Sequence, residues 1–133
     1  MRRHSVVTRV RYGETDQMGV VYHANYFLYF ELGRTELMRA AGFPYSELER
    51  RGVFLVVTDA GCRFRAPARY DEEIRIDTRV ARLGKATVRF EYEIRGAEGR
   101  LLAEGHTELA AVDRATQAPV RLPEEIAARL EAP

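Results

Sequence analysis

Several features are scarce in this chain of 133 residues, and each scarcity argues against a class of protein. A single cysteine, Cys62, permits neither an internal disulfide nor a cysteine-based metal site. No apolar run is long enough to span a bilayer, and none follows the basic N-terminus as a signal core would. The formal net charge is only +1, which argues against bulk electrostatic binding of nucleic acid or of an acidic membrane. We therefore expect a cytoplasmic protein with one domain, residues 1–133.

Apolar periodicity and turn residues predict one long helix and about five strands. The long helix covers residues 24–41 and ends at Gly42, and a short helix over 44–51 ends at Gly52. The predicted strands are 6–12, 54–64, 73–83, 85–95 and 101–113, and a last helix covers 123–130.

The long helix suggests how these elements pack. Its first turns, Tyr26 to Phe30, are apolar all round, which predicts burial on most sides. The strands alternate apolar with charged residues, as antiparallel strands with one wet face do. A curved sheet around the helix is the simplest way to bury it. We predict an α+β fold in which an antiparallel five-stranded sheet wraps around one long central helix. A ferredoxin-like sandwich is the alternative, but it would need two comparable helices.

The most informative segment is 12–26, YGETDQMGVVYHANY. An acidic residue, Asp16, stands in a glycine-containing loop that leads directly into the apolar helix. A helix N-terminus offers free backbone N–H donors and a positive dipole, and an apolar wall removes the water that would weaken them. From the residues alone, Asp16 is a candidate for chemistry or, like most loop aspartates, an Asx-turn or a helix cap.

This segment resembles the signature of the 4-hydroxybenzoyl-CoA thioesterase family, and most closely its bacterial acyl-CoA thioesterase branch. The matching residues are Thr15, Asp16, Gly19 to Tyr26, Tyr29 to Glu31, and Arg34 to Glu36. The resemblance in element order then covers nearly the whole chain. It implies a hotdog fold and the hydrolysis of an acyl-CoA thioester to a free acid and coenzyme A.

The resemblance places Asp16 on the family's catalytic carboxylate. This carboxylate would attack the thioester carbonyl to form an acyl-enzyme anhydride, or act as general base for water, and the sequence leaves both routes open. The resemblance also implies that the backbone N–H of His23 binds the thioester oxygen. The imidazole of His23 stays open between an acid/base role and a supporting role.

Five further residues around the loop are candidates for substrate binding. Gly19 would permit a positive φ or a close approach of substrate, and Asn25 would cap the helix or hold the loop. Thr15 would orient the catalytic carboxylate. Tyr22 and Tyr26 would wall the acyl pocket, although core packing explains them as well.

Coenzyme A has a negatively charged nucleotide tail, so we expect cations near the mouth of its tunnel. Lys85, the only lysine, aligns with a segment that contacts CoA phosphates in the family, although the family is richer in basic residues there. Arg82 is a substitute for the missing basic residues. Arg63, Arg65 and Arg69 form a second cluster, and a solvated basic face is the alternative for each of them.

Two other side chains could carry chemistry but have a structural explanation that we favour. Glu31 is expected to pair with Arg34 three residues later or to contact another subunit, although another branch of hotdog thioesterases places its catalytic acid on the helix. Cys62 is expected to be a small apolar strand residue rather than a nucleophile.

We expect no required cofactor and no metal, with coenzyme A as product and ligand and acyl carrier protein as an alternative acyl carrier. The apolar helix and the unpaired edge of the sheet predict a homo-oligomer, a tetramer built as a dimer of dimers. Two alternatives to a thioesterase stay open. One is an acyl-CoA-binding module without catalysis, and the other is a hotdog hydratase or dehydratase, whose motif differs.

Overall fold

The computed structural model describes residues 1–133, and its five strands form one antiparallel sheet in the order β1-β3-β4-β5-β2. The strands are β1 (Arg3–Arg9), β2 (Val53–Phe64), β3 (Glu73–Leu83), β4 (Thr87–Arg95) and β5 (Leu101–Asp113). The helices are α1 (Asn25–Ala40), α2 (Tyr45–Arg50) and α3 (Glu124–Glu131). None of the three helices has the length and apolar content needed to cross a membrane.

Three of the five strands have bounds that differ from the prediction, and for β2 the difference is one residue, since it begins at Val53 rather than at residue 54. β1 begins at Arg3 rather than at residue 6, because this end of the strand pairs with β3 up to Arg79. At its other end β1 stops at Arg9 rather than at residue 12, and Tyr12 already belongs to the 3-10 turn Tyr12–Glu14. β4 begins at Thr87 rather than at residue 85, because the turn between β3 and β4 closes on a hydrogen bond from Gly84 N–H to the Thr87 carbonyl. The bounds of β3 and β5 are confirmed.

Helix α1 packs closely against one face of the sheet. Phe30 stacks on Tyr92 of β4 with ring centroids 4.4 Å apart and ring planes 8° from parallel. Gly105 of β5 makes room for this ring, because a Cβ at that position would lie 2.6 Å from Phe30. The prediction of an antiparallel five-stranded sheet around one long central helix is confirmed.

The first turns of α1 are less buried than predicted. Tyr26 and Tyr29 are each 3% exposed and Phe30 is fully buried, but Phe27 is 39% exposed and Leu28 is 57% exposed. The expectation of burial on most sides is wrong for these last two residues, because the sheet covers only one side of the helix. The chain therefore leaves an apolar strip of α1 open to solvent.

Charged side chains lie mainly on the other face of the sheet, where they pair across and along the strands. Arg75 contacts Asp77 at 3.0 Å, and Arg82 contacts Glu108 at 3.1 Å. On α1, the guanidinium of the buried Arg34 lies 4.0 Å from the Glu31 carboxylate, which confirms the predicted pair. The charged face of the sheet thus carries paired charges of both signs, in keeping with a net charge of only +1.

Four tyrosines are buried deeply enough to change their acidity. Burial is the largest cause of a raised pKa at Tyr26, Tyr29 and Tyr92. For Tyr45, burial raises the pKa to about 12 against the opposing effect of the Arg34 guanidinium, and its hydroxyl has no hydrogen-bond partner. Ionising any of these phenols inside the protein is therefore unfavourable.

We expect the protein to lose stability as the pH rises above about 10, the pKa of tyrosine in an unfolded chain. Because the folded-state pKa values are raised, only the unfolded chain loses phenolic protons at first. The contribution of these phenols to the free energy of unfolding is therefore fully present below about pH 10, and it is lost as the pH rises towards their folded-state pKa values. Thermal unfolding followed between about pH 8 and about pH 11 measures the decline.

The Tyr45→Phe variant should show a shallower alkaline decline, because it removes one of the buried phenols. The matched control is Tyr70→Phe, which removes a phenol that is 58% exposed and should leave the decline unchanged. An equal decline in both variants would show that burial of Tyr45 is not a cause.

Candidate active site

Asp16 lies at the tip of a small hairpin between β1 and α1. Its N–H donates to the Val20 carbonyl at 2.9 Å, and Gly19 N–H donates to the Asp16 carbonyl at 2.9 Å. Thr15 and Val21 form the next pair of the hairpin. The turn requires φ = +78° at Gly19, a conformation that residues with a Cβ adopt rarely. The predicted positive φ at Gly19 is thus observed, and it explains the glycine at this position.

The Asp16 carboxylate has no cationic partner. Its Oδ1 accepts a hydrogen bond from Met18 N–H at 2.9 Å, and no nitrogen of Lys, Arg or His lies within 4.0 Å of it. The side chain is half-buried. Most acidic side chains of this protein are paired with arginine, so this carboxylate is unusual in keeping oxygen lone pairs available for chemistry.

The start of α1 has unused donors, and His23 there lines the same cleft as Asp16. The backbone N–H groups of His23 and Ala24 make no hydrogen bond within the chain, and the N-cap residue Ala24 provides no capping side chain. Free N–H groups at a helix N-terminus, together with the helix dipole, stabilise negative charge. The site therefore combines an unpaired carboxylate with donors for a developing oxyanion.

The imidazole of His23 does not form a dyad with Asp16. Its ring lies 4.5 Å from the ring of Tyr22 and 6.3 Å from that of Phe64, measured between centroids. It makes no hydrogen bond, and no carboxylate oxygen lies within 4.0 Å of its nitrogens. The ring thus packs among aromatic side chains in this chain.

These groups line a cleft of about 310 Å³ whose walls are mostly apolar. Tyr26 forms part of the wall and packs edge-on against Phe64 at the end of β2, with centroids 5.2 Å apart. The full lining consists of Asp16, Met18, Val20, Val21, His23, Tyr26, Phe64, Arg65, Ala66 and Pro67. A larger concavity of about 670 Å³ lies on the charged face of the sheet, but it contains neither Asp16 nor the N-terminus of α1.

The other predicted loop residues, Asn25, Thr15 and Tyr22, contact the loop or its surroundings rather than Asp16. The Asn25 side-chain amide donates to the Glu14 carbonyl at 2.8 Å, so Asn25 holds the loop rather than capping the helix. The Thr15 hydroxyl donates to the Tyr12 carbonyl at 2.7 Å and makes no hydrogen bond to Asp16. Tyr22 is 47% exposed beside His23 and lies outside the cleft lining.

Within one chain, Arg65 is the only predicted cation that lines this cleft. Arg65 lines the cleft and donates to Glu104 at 2.6 Å, whereas Arg69 makes no side-chain ion pair. Arg63 follows Cys62, which shares the helix side of the sheet with Gly105, so Arg63 projects from the opposite face. Lys85 lies in the turn between β3 and β4, at the end of the sheet where β2 begins.

Two further side chains lie close to the site, Cys62 near Tyr26 and Glu14 in the loop. Burial raises the pKa of the Cys62 thiol to about 11, so this cysteine is protonated near neutral pH and unsuited to nucleophilic attack. Glu14, which no sequence pattern marks as functional, binds both the loop and helix α1. Its only signal in the sequence is its place two residues before Asp16.

Comparison with known proteins assigns this architecture to a family. A model of the thioesterase-like superfamily matches residues 10–130. The chain belongs to the thioesterase-like superfamily. The match includes the Asp16 hairpin, helix α1 and all strands except β1.

Individual relatives in the superfamily support the assignment. The chain is 35% identical over 123 residues to the acyl-CoA thioester hydrolase YbgC of Escherichia coli O6:H1, which covers 92% of each protein. The DHNA-CoA thioesterase of Staphylococcus aureus superimposes with a TM-score of 0.88 at 34% identity, covering 92% of this chain and 82% of that one. A protein of Thermus thermophilus superimposes with a TM-score of 0.86 at 43% identity, covering 93% and 95%. The hotdog fold that the resemblance implied is confirmed.

Proposed function

We propose that this protein is an acyl-CoA thioesterase, a single hotdog domain over residues 1–133 that hydrolyses an acyl-CoA to a free acid and coenzyme A. The observation that carries the proposal is the unpaired Asp16 carboxylate in an apolar cleft beside the free N–H groups of His23 and Ala24. The relatives named as acyl-CoA and DHNA-CoA thioesterases support the choice of substrate class.

The chemistry follows from these two groups. An N–H at the start of α1, with that of His23 assigned the main role, binds the thioester oxygen and stabilises the negative charge that develops on it. Asp16 either attacks the carbonyl carbon, so that the C–S bond breaks and water then hydrolyses the anhydride, or removes a proton from an attacking water. In both routes coenzyme A leaves as the thiol, and the carboxylate is regenerated.

The assay that tests the proposal is thiol release from a panel of acyl-CoAs, followed with a thiol-reactive dye. A thioesterase releases the thiol, whereas an acyl-CoA-binding module does not, and a hydratase or dehydratase leaves the thioester intact. Acyl groups of different length and aromaticity define the substrate, and the same acyl groups on acyl carrier protein compare the two carriers. Absence of thiol release across the panel would contradict the proposal.

Asp16→Asn should lower kcat by about 10²–10⁴-fold, because it removes the nucleophile or base at nearly constant volume. Binding of coenzyme A, measured by calorimetry, should survive. The control is Asp71→Asn, the same chemical change at an exposed loop position, which should leave kcat unchanged. Near wild-type hydrolysis by the Asp16 variant would exclude this mechanism.

His23→Ala should retain much of the activity, because the substitution removes the imidazole and keeps the backbone N–H. The structure places this ring among Tyr22 and Phe64 without a polar partner, which supports the expectation. The measurement is the steady-state kcat of His23→Ala, compared with those of the wild type and of Asp16→Asn. If both variants are equally inactive, the imidazole is a catalytic partner and the backbone N–H is insufficient.

One of the two edge strands of the sheet, β2, supports a homo-oligomer with shared sites. β2 has no neighbour on its outer side, and Val56, Val57 and Phe64 on it are 45%, 45% and 51% exposed. Two copies of β2 paired antiparallel about a two-fold axis would cover this edge and set the Val53 end of one copy beside the Phe64 end of the other.

Such pairing would also bring the distant cations towards the cleft. Lys85 and Arg82 lie near the Val53 end of the sheet, at the junction of β3 and β4, whereas Asp16 lies near Phe64. Across the two-fold axis, β4 of the partner would lie about three strand spacings, or about 14 Å, from this chain's β2. A nucleotide tail running along the subunit boundary would then meet the partner's Lys85. The partner's Arg82 could bind the tail only after breaking its ion pair with Glu108.

We expect light scattering to find a tetramer built as a dimer of dimers, and an active monomer at assay concentration would contradict this.

Sharing of sites between subunits is measured by the activity of hybrids of an Asp16→Asn chain with a chain carrying Lys85→Ala. Shared sites should recover partial activity in the hybrids, because one kind of site then has both wild-type residues. Recovery no greater than the sum of the two parent proteins would show that each site is built from one chain.

A further inference from the structure

Glu14 joins the Asp16 hairpin to helix α1 through both its backbone and its side chain. Its carbonyl accepts hydrogen bonds from Tyr22 N–H at 3.0 Å and from the Asn25 side-chain amide at 2.8 Å. Its carboxylate oxygen Oε1 accepts hydrogen bonds from the Tyr29 hydroxyl at 2.9 Å and from Arg11 N–H at 2.8 Å. One residue thus binds the base of the hairpin and the first two turns of the helix.

The two links to the helix are spaced so that they fix an orientation. Asn25 and Tyr29 are four residues apart, so their side chains lie one above the other on the same face of α1. A single link would leave the hairpin free to pivot about the helix, whereas two links one turn apart prevent both sliding and rotation. Glu14 therefore sets the position of the hairpin relative to the axis of α1.

This connection lies directly beside both groups assigned to the chemistry. Asp16 follows Glu14 by two residues on the hairpin, and His23 precedes Asn25 by two residues at the start of the helix. The carboxylate and the N–H donors thus belong to two segments that Glu14 holds together. Reaction requires their separation to be held closely, because a displacement of about 1 Å at a reacting centre can cost about 10²-fold in rate.

The hydrogen bonds of Glu14 are largely protected from water. The Glu14 side chain is 15% exposed and Tyr29 is 3% exposed. Burial, together with the Glu14 carboxylate, raises the pKa of Tyr29, so its phenol stays protonated and remains a donor at neutral and mildly alkaline pH. The guanidinium of Arg11 contacts Glu14 Oε2 at 3.3 Å from the solvent side and offsets its charge.

We propose that Glu14 is a positioning residue, which fixes the Asp16 carboxylate relative to the N–H donors of α1 by binding Asn25 through its carbonyl and Tyr29 through its carboxylate. The inference rests on the proposed thioesterase function.

Steady-state kinetics of Glu14 and Tyr29 variants test this role. Glu14→Ala keeps the carbonyl that binds Asn25 but removes the carboxylate that binds Tyr29. The hairpin can then pivot about the remaining link, so kcat should fall by about 10–100-fold with little change in KM, since the cleft walls stay in place. Tyr29→Phe removes one hydrogen bond and should lower kcat less. The double variant should be no slower than Glu14→Ala, because both changes break the same bond. Glu14→Gln keeps an acceptor oxygen and should retain most of the activity.

A matched control separates positioning from general stability. Tyr92→Phe also removes a buried phenol, whose oxygen lies 2.6 Å from the Thr107 hydroxyl, but at a place away from the cleft. It should lower the melting temperature and leave kcat unchanged. Deuterium exchange of residues 15–24 should accelerate in Glu14→Ala and stay at the wild-type rate in Tyr92→Phe.

The outcomes distinguish this inference from the proposed function. If the wild type is active, Asp16→Asn is inactive and Glu14→Ala keeps kcat within about twofold of the wild type, Glu14 does not position the site although the thioesterase assignment stands. If the wild type releases no thiol, the assignment fails, and unchanged exchange of residues 15–24 in Glu14→Ala would overturn the positioning role as well. Should Glu14→Ala not fold, wild-type kcat in Tyr29→Phe would overturn the inference.

Discussion

Phe30 of helix α1 lies flat on Tyr92 of β4 at 4.4 Å, in the space that Gly105 leaves open on β5. Two aromatic rings in this arrangement bury a large apolar area and permit little sideways movement of the helix. Because α1 is rigid, the position of Phe30 also determines where its N-terminus lies. One turn earlier, Tyr26 reaches the end of β2 and contacts Phe64, which places the free N–H groups of the helix beside the cleft.

The distribution of charge separates the site from the rest of the molecule. Arginines and carboxylates pair repeatedly on the solvent face of the sheet, where exposed ion pairs contribute little to stability but keep the surface balanced. Asp16 lies on the helix side of the sheet among apolar residues and has no such partner. An arginine close to this carboxylate would lower its basicity and its reactivity as a nucleophile. Leaving Asp16 unpaired therefore suits the chemistry proposed for it.

The elements that the sequence predicted well are those whose signals are local. The apolar period of α1, its end at Gly42, and the alternating residues of β3 and β5 depend on neighbours along the chain, and their positions were close to those observed. The signature around Asp16 was equally local, since a glycine turn and an apolar helix follow it directly. The start of β1 was predicted wrongly because its pairing partner, β3, lies about 70 residues further along the chain.

The sequence by itself therefore determined the fold class, the single long helix, the loop aspartate and the family resemblance, because periodicity and motif spacing are properties of short segments. Only the tertiary structure decided that the His23 ring packs among Tyr22 and Phe64 and that Arg63 projects from the face opposite the cleft. It alone also showed that Glu14 joins the hairpin to α1. These features depend on which surfaces meet when distant segments pack. A glutamate two residues before an aspartate has no special pattern until Tyr29, fifteen residues later, is folded against it.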